Sequence, residues 1–302
     1  MNIDLEYDYS EALKRQGHTQ ADVDAIRNLV SQYPHIPKSI TDKQLLLFLD
    51  SCGGAEEGAK VCKLYYTMKQ KNIEHFKLRD PTHPKIQQCL ANQDYFYLPN
   101  TPTGDVVVFH RLSSSRASDY VFDEAIKTFF MTIDSCIQKN GPHDGAIFLF
   151  DMKGVGLMHL TRVNVSSIRK FFQYLQEAVP GKLRAIHVFN VVYFFDKVLA
   201  LIKPFMKAEI LKNLHLHSSG LDLEKFYKEH VPKSSLPSDF GGDMPSIKEL
   251  HEKHCKEFVR LRPYFLAEEK QATLMLDNCD KTSLNKELLI ENERNLKSIS
   301  ID

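Results

Sequence analysis

The first 85 residues carry apolar positions at helical spacing. Helices are predicted over 22–33, 44–50 and 55–71, because each run repeats its apolar residues every three or four positions. Pro34 follows the first run, and a loop rich in proline and histidine follows the third. The pattern predicts a small all-helical module over residues 1–85.

From about residue 104 the pattern changes to short runs of β-branched and aromatic residues that alternate with longer amphipathic runs. Strands separated by helices form a mainly parallel sheet with right-handed crossovers. The expected fold class is therefore α/β, with helices flanking the sheet. The short runs predict strands over 105–111, 145–151, 183–190 and 211–217. The longer runs predict helices over 119–138, 164–178 and 191–207, with a further helix near 221–230.

Two further boundaries follow the predicted sheet. The turn sequence LPSDFGG at 236–242 closes a domain over 86–245. Residues 246–302 are expected to form a helix over 247–261 and then a charged, weakly patterned tail. The chain is thus expected to have a helical module, a sheet domain and a C-terminal extension.

The segment 191–205, VVYFFDKVLALIKPF, is apolar around nearly its whole helical circumference. Burying each large apolar side chain stabilises the fold by roughly 1.5 to 3 kcal/mol, so this surface is expected to be covered by other apolar groups. One interpretation is a buried crossover helix, and the other is a movable lid over an apolar ligand. The charges of Asp196, Lys197 and Lys203 exclude a permanent membrane span.

The composition narrows the possible partners. Lysine plus arginine and aspartate plus glutamate each number 39, so no net charge attracts nucleic acid or an anionic membrane. The sequence lacks the apolar runs of a signal peptide or a spanning helix, and its six cysteines are scattered without a C-x-x-C pair. We expect a cytoplasmic protein with reduced thiols, no nucleic-acid partner, and only local, transient membrane contact.

Enzyme motifs common on α/β sheets are missing from the sequence. It contains no G-x-G-x-x-G, no phosphate-binding P-loop and no G-x-S-x-G elbow. GTPases use a D-x-x-G sequence near the γ-phosphate, and residues 151–154 match it. Because the chain has no phosphate loop, this match is interpreted as a common strand-to-turn sequence. His110 and His187 lie within apolar strands, which favours core histidines. The sequence predicts no catalytic residue, no metal site and no cofactor.

Eight segments, taken in order and spacing, carry a resemblance over most of the chain. In the helical module they are PHIPKSITDKQLLLFLDSC (34–52), LYYTMK (64–69) and FKLRDP (76–81). In the sheet domain they are FDMKGVGLMHL (150–160), PGKLRAIHVFN (180–190), IKPFM (202–206), LHLHS (214–218) and LPSDFGG (236–242). Together they resemble the CRAL-TRIO family of lipid-binding proteins, most closely the branch that contains the alpha-tocopherol transfer protein and the cellular retinaldehyde-binding protein.

The resemblance implies a lipid pocket behind a gate helix over 191–207, preceded by a helical CRAL-TRIO N-terminal module. The pocket would be lined by the helix before the second strand, by the strand floor and by the gate. The hydroxyl groups of Thr128 and Thr132 would form hydrogen bonds with a ligand hydroxyl or a water. Ordinary core packing is the alternative interpretation for any single residue of the lining. The implied ligand contacts are Thr128, Phe129, Thr132, Ile133, Phe148, Phe150, Ile186, Val188, Val191, Phe194, Phe195, Val198 and Ile202.

The resemblance also implies a phosphoinositide headgroup site formed by Lys182, Arg184 and Lys212. Alternation along a strand places Lys182 and Arg184 on the same face. A solvated strand end accounts for the pair nearly as well. Asn213 stands where the family has a further basic residue, and the usual N-[AE]-P after the third strand is altered at 190–192.

Three functions remain open at this point. The first is a carrier that transfers a tocopherol, retinoid or carotenoid-like molecule between membranes, with phosphoinositide-triggered release. The second is a phosphatidylinositol or phosphatidylcholine exchange protein. The third is a regulatory scaffold whose vestigial pocket is filled by Phe129, Phe148, Phe150, Phe194 and Phe195.

Overall fold

The helical module begins the computed structural model, which describes residues 3–273. Its helices are α1 Tyr9–Arg15, α2 Gln20–Val30, α3 Asp42–Cys52, α4 Ala55–Lys71 and α5 Ile73–Phe76. Thr19 and Thr41 begin α2 and α3 with capping boxes, in which each threonine and the residue three positions later satisfy each other's backbone N–H. Gly53 ends α3 at φ 69°, a left-handed conformation that favours glycine. Helices α2, α3 and α4 correspond to the three predicted runs.

A five-stranded sheet follows the module. Its strands are β1 Gln93–Leu98, β2 Asp105–Leu112, β3 Gly145–Asp151, β4 Leu183–Phe189 and β5 Leu214–Leu216. They lie side by side in chain order, with β2 to β5 parallel and β1 antiparallel to β2. The predicted α/β class with a mainly parallel sheet is confirmed. Strand β1 was missed, because five of its six residues are buried and its sequence QDYFYL therefore shows no alternation.

Helices cover both faces of the sheet. They are α6 Pro84–Asn92, α7 Phe122–Asn140, α8 Leu157–Leu160, α9 Val165–Glu177, α10 Phe195–Ile202, α11 Ala208–Lys212, α12 Leu223–Glu229, α13 Ile247–Arg260 and α14 Arg262–Thr273. Alternation along β3 sends Phe148 and Phe150 toward α7. Leu149 packs on the other face with Phe226 of α12 and Ile247 of α13. The sheet thus separates two apolar layers.

The segment predicted as one gate helix over 191–207 is shorter in the structure. Asn190 has φ 50°, and a turn in which the Phe195 N–H donates to the Val192 carbonyl precedes the helix, which starts at Phe195. Pro204 lacks a backbone N–H, and it lies in a 3-10 turn that follows α10. The predicted strand over 211–217 was also too long, because residues up to 212 belong to α11.

The C-terminal region contains a helix where a charged tail was expected. Glu268 of α14 forms buried ion pairs with Lys69 of α4 and with Arg79, and both cations also pair with Asp134 of α7. These partners lie far apart in sequence, so local periodicity gave no sign of α14. The remainder of the expected tail, after residue 273, lies outside the described residues.

Candidate functional site

A cavity of about 290 Å³ lies between the sheet and helices α7, α9 and α10. Its volume is close to the lower end of known ligand pockets, about 300 to 1,000 Å³. Aliphatic and aromatic side chains form most of its wall. They come from α7 (Ala125, Ile126, Phe129), α9 (Ile168, Phe171, Phe172, Leu175), α10 and the turn after it (Phe195, Val198, Leu201, Ile202, Met206), and β4 and β5 (Ile186, Val188, Leu214).

The floor of the cavity follows the register of the sheet. His110, Phe150 and Val188 occupy matching positions on β2, β3 and β4, so they form one row across three parallel strands. Ile186 lies two residues before Val188 and shares its face. Phe129 of α7 stacks on Phe150 with ring centroids 5.4 Å apart. The floor is therefore built from side chains whose positions the strands and α7 hold.

Helix α10 forms one wall of the cavity. Phe195, Val198 and Ile202 of this helix reach the space that Phe150 and Val188 reach from the sheet. Just before the helix, Tyr193 is 87% exposed while Phe194 is buried. No helix within residues 3–273 combines the length and the apolar character that crossing a membrane requires.

The structure brings seven of the thirteen predicted ligand contacts together around the cavity. They are Phe129, Phe150, Ile186, Val188, Phe195, Val198 and Ile202. The two strand pairs predicted to share faces do so in register, since Phe148 pairs with Ile186 and Phe150 with Val188.

The other six predicted contacts do not line this cavity, and the threonine hydroxyls have other partners. The Thr128 hydroxyl donates to the Glu124 carbonyl at 2.8 Å. The Thr132 hydroxyl donates to the Thr128 carbonyl at 3.0 Å and lies 3.1 Å from His254 Nε2. Their side of α7 therefore faces the protein rather than the cavity.

The remaining four residues have apolar surroundings elsewhere. Ile133 and Phe148 line a separate space of about 20 Å³ near the start of β4. Val191 is half-buried in the turn before α10, and Phe194 packs edge-to-face on Tyr193 at 5.2 Å. Part of the segment predicted as a gate thus precedes α10 and does not line the cavity.

A few polar side chains interrupt the apolar wall. Tyr120 and His159 lie beside α7, with their rings edge-to-face at 5.6 Å, and His110 lies on β2. Burial lowers the pKa of His110 to about 4, so its ring is neutral near pH 7. Burial also raises the pKa of Tyr120 well above its usual value, so its hydroxyl stays protonated. These groups offer hydrogen bonds without charge.

Asp151 is the acidic residue of the wall, and it already has partners. One of its carboxylate oxygens accepts from the Lys153 backbone at 2.9 Å and from the Asn190 side chain at 2.8 Å. Among the described residues, no lysine or arginine lines the cavity. The arrangement suits an uncharged guest and supplies no cation for a phosphate.

The predicted headgroup residues lie on the surface near the amino end of β4. Lys182, Arg184 and Lys212 are exposed, and Arg184 Nε is 3.2 Å from Asp105 Oδ1. Ile186 of β4 pairs with Leu214 of β5. Arg184 lies two residues before Ile186, and Lys212 lies two residues before Leu214. All three bases lie outside the cavity.

Sequence reasoning missed Tyr120 and His159 of the cavity wall, and it placed His110 in the core. Tyr120 follows a 3-10 turn, and His159 lies in the four-residue helix α8. Neither position belongs to a long periodic run, so the pattern of apolar residues contained no signal for them. Only the tertiary fold brings them to the wall of the cavity.

Comparisons with known proteins match both parts of the chain. A family model described as "CRAL/TRIO domain" matches residues 92–242. A second model, described as "Pinta-like, UBA domain", matches residues 15–86. The first match spans the whole sheet and the cavity, and the second spans helices α2 to α5 of the helical module.

Curated relatives have modest identity to the chain. The human protein "Alpha-tocopherol transfer protein-like" is 30% identical over 225 residues, which cover 73% of this chain and 64% of the relative. "Clavesin-2" from Rattus norvegicus is 23% identical over 235 residues, covering 74% of this chain and 69% of the relative. The solved "Crystal structure of Sfh5" is 16% identical, with a TM-score of 0.41 and coverage of 59% of this chain and 63% of that one. The matched region thus spans less than two thirds of the human relative.

Proposed function

The chain belongs to the CRAL/TRIO domain family, and on that premise we propose that it binds one small, uncharged lipophile in its cavity and carries it between membranes. The expected cargo is of tocopherol, retinoid or carotenoid type. The expected setting is the cytoplasm, with transient contact at membrane surfaces. The observation that carries the proposal is the cavity of about 290 Å³ whose wall is nearly all apolar.

The energetics of the cavity favour a resident guest. An empty space forfeits dispersion contacts on every side, and polar partners for several ordered waters are few on this wall. An apolar molecule in the cavity would restore those contacts, and its own transfer out of water would be favourable. The scaffold hypothesis required phenylalanines to fill this space, and the open volume beside Phe129, Phe150 and Phe195 argues against it.

The charges near the cavity favour a neutral lipid over a phospholipid as cargo. A phosphate buried without a cation or a full set of donors is strongly disfavoured. Asp151 would add repulsion, since it is the charged side chain of the wall. The exchange-protein hypothesis is therefore the weaker one for the cavity itself.

Native mass spectrometry of the full chain tests the proposal directly. The protein is incubated with a neutral lipid extract, re-purified and analysed for a single bound mass, and transfer between donor and acceptor vesicles is measured in parallel. We expect one lipophile per chain. The variant Ala125→Phe extends a ring from α7 into the cavity and should abolish binding, whereas Ala208→Phe on the exposed surface of α11 should not. A wild-type chain that retains no lipid would refute the proposal.

We further propose that a phosphoinositide headgroup binds at Lys182, Arg184 and Lys212 and promotes release. The support is their exposure on the surface and their position outside the cavity. Release from loaded protein should accelerate on phosphatidylcholine vesicles that contain phosphatidylinositol bisphosphate. Lys182→Ala with Arg184→Ala should remove that acceleration, and Lys225→Ala with Lys228→Ala on α12 is the matched control. Equal acceleration in both double variants would rule out this site.

A further inference from the structure

Four histidines lie together on the face of the sheet opposite the cavity. His187 of β4 pairs with His215 of β5, and the cluster also contains His217, just after β5, and His230, at the end of α12. The ring of His187 lies 4.8 Å from His215, 5.2 Å from His217 and 4.6 Å from His230, between centroids. Ile186, one position before His187, lines the cavity, so alternation directs His187 to the other face. These four residues are called the histidine cluster below.

The histidine cluster is packed as neutral rings. His187 Nδ1 lies 2.9 Å from His217 Nε2, so one of the two nitrogens donates and the other accepts. The rings of His187 and His215 are stacked with 16° between their planes. Burial, with the neighbouring histidines, lowers the pKa of His187 to about 2 and that of His217 to about 4. Two imidazolium rings at these distances would repel each other, so the closed arrangement excludes protons.

The charged groups around the cluster do not compensate a bound proton. Burial lowers the pKa of His230, and on α12 the exposed Glu229 and Lys225 shift it in opposite directions. These two side chains pair with each other at 3.9 Å. Among the described residues, no carboxylate acts on the pKa of His187 or His217.

Aromatic rings close the cluster on its remaining sides. Phe226 of α12 lies 5.2 Å from His187 and 5.3 Å from His217, and Phe189 of β4 also lies 5.3 Å from His217. Apolar rings offer no acceptor for the additional N–H of an imidazolium. A protonated histidine therefore gains most by moving out toward water.

The backbone of His217 connects the cluster to the segment that precedes α10. Its N–H donates to the Val188 carbonyl at 2.8 Å, and its carbonyl accepts from the Val191 N–H at 3.2 Å. Val191 follows Asn190, whose φ is 50°, and leads into the turn before α10. A displacement of His217 would therefore release the base of the helix that covers the cavity.

Strand β5 is the part of the sheet that separates most easily. It has three residues, lies at the edge and pairs with β4 alone. Its side chains serve both faces, since His215 belongs to the cluster and Leu214 lines the cavity. Few backbone bonds and a short strand give low local stability. Opening at β5 would thus change the cavity wall without unfolding the sheet.

We propose that the histidine cluster is an acid-sensitive switch for cargo release: when protons bind its rings, β5 and α12 part from β4, the segment before α10 is freed, and the cargo exchanges faster. This inference rests on the proposed carrier function and adds its regulation. Above about pH 6.5, the usual pKa of histidine, neither form binds protons and the closed form keeps its full advantage. Below that pH the open form takes up protons that the closed form excludes, so the advantage declines.

Release of a probe without an ionisable group tests the switch. The full chain is loaded with the fluorescent hydrocarbon diphenylhexatriene, and its transfer to phosphatidylcholine vesicles is timed at pH 7.5 and pH 5.0. Neither the probe nor the net charge of the vesicle changes over this range. Transfer should be at least about tenfold faster at pH 5.0, because each proton taken up by the open form shifts the equilibrium about tenfold per pH unit.

The variant His217→Gln with His230→Gln removes two titrating rings and keeps hydrogen-bonding side chains. It should transfer the probe like the wild type at pH 7.5, and its acceleration at pH 5.0 should shrink to within about threefold. His254→Gln is the matched control, since it removes a buried titrating ring of α13 outside the cluster. It should keep the wild-type acceleration. A general loss of stability in acid would instead make His254→Gln respond like the double variant.

Hydrogen–deuterium exchange locates the opening independently of any probe. Protection factors, which correct for the intrinsic effect of pH, are compared at pH 7.5 and pH 5.0. Those of residues 213–218 should fall at least about tenfold in the wild type, whereas those of residues 106–109 in β2 should change by less than about threefold. In the double variant both segments should stay protected.

The outcomes separate the inference from the function on which it rests. Equal transfer at both pH values, or acceleration that survives in the double variant, overturns the inference and leaves the carrier function standing. An equal loss of protection in both segments also overturns it, since the whole chain would then be unfolding. A wild-type chain that holds no lipophile at pH 7.5 counts against the carrier function, and the role in release fails with it, whereas hydrogen exchange still decides whether residues 213–218 open.

Discussion

Thr132 of α7 and His254 of α13 are joined by a hydrogen bond of 3.1 Å between Oγ1 and Nε2. The Thr132 hydroxyl already donates its hydrogen to the Thr128 carbonyl, so it accepts from the histidine ring. Burial, together with the nearby His251, lowers the pKa of His254 to about 3, so the ring is neutral near pH 7. The hydroxyl that sequence resemblance assigned to a ligand therefore connects two helices.

The variant Thr132→Val should destabilise the protein without affecting its cargo. It leaves the buried His254 N–H without an acceptor, which should reduce the free energy of unfolding by about 1 to 3 kcal/mol. Urea denaturation measures this loss, and the dissociation constant of a bound lipophile should change by less than about twofold. Thr161→Val, at an exposed hydroxyl, is the matched control. A large loss of affinity with unchanged stability would instead support a ligand contact at Thr132.

Stability should fall as the solution becomes acidic. His254 stays neutral in the folded chain because its pKa is about 3, whereas in the unfolded chain it takes up a proton near its usual pKa of 6.5. Its contribution is therefore complete above pH 6.5 and is lost as the pH falls toward 3, and His110 acts in the same direction. Between pH 6.5 and 5 each ring should account for up to about 2 kcal/mol of the decline.

Urea denaturation at several pH values checks this dependence. His254→Gln keeps a donor for Thr132 but cannot titrate, so its decline between pH 6.5 and 5 should be smaller by about 2 kcal/mol. An identical pH profile for the wild type and the variant would mean that His254 is protonated in the folded chain, contrary to its burial.

The buried ion pairs should make Glu268 the most sensitive residue of α14. Burial alone would raise the pKa of Glu268, but Arg79 and Lys69 outweigh it and lower the pKa to about 2. Glu268→Leu leaves two buried cations with Asp134 as their remaining anionic partner and should cost about 3 to 5 kcal/mol, measured by chemical denaturation. Glu252→Leu, on the exposed surface of α13, should cost less than about 1 kcal/mol. Similar losses in the two variants would show that the cluster is unimportant for stability.

Two neighbouring residues of the α10 region should respond differently to the same substitution. Val198 lines the cavity and is half-buried, so Val198→Asp should weaken lipid binding by at least about tenfold with a smaller effect on folding. Phe194 is buried away from the cavity, so Phe194→Asp should lower stability by about 3 kcal/mol or more. Lys197→Asp, on the exposed side of α10, should change neither quantity much.

Binding titrations and denaturation curves for these three variants separate a cavity wall from a core contact. If Val198→Asp destabilised the chain in proportion to its loss of binding, α10 would be an ordinary buried crossover helix rather than a cover for cargo.

The sequence by itself determined the parallel sheet, the bounds of α4 and β3, and the apolar floor of the cavity. Those features depend on local quantities: strand alternation puts Phe150 and Val188 on predictable faces, and glycine and threonine mark helix ends. Resemblance to a family then indicated that the floor lies beneath a covering helix. Neither the sequence pattern nor the resemblance gave the rotation of α7 about its own axis. This rotation directs Phe129 to the cavity and Thr132 to His254.

Only the tertiary structure decided the features built from distant parts of the chain. Strand β1 is buried on both faces, so its sequence lacks the alternation of apolar and polar residues that marks a half-buried strand. Helix α14 depends on ion pairs between Glu268 and residues about 190 to 200 positions away, which no local pattern records. The polar part of the cavity wall combines a residue after a turn, a strand residue and a residue of a short helix, which lie far apart in the sequence and meet only in the folded chain.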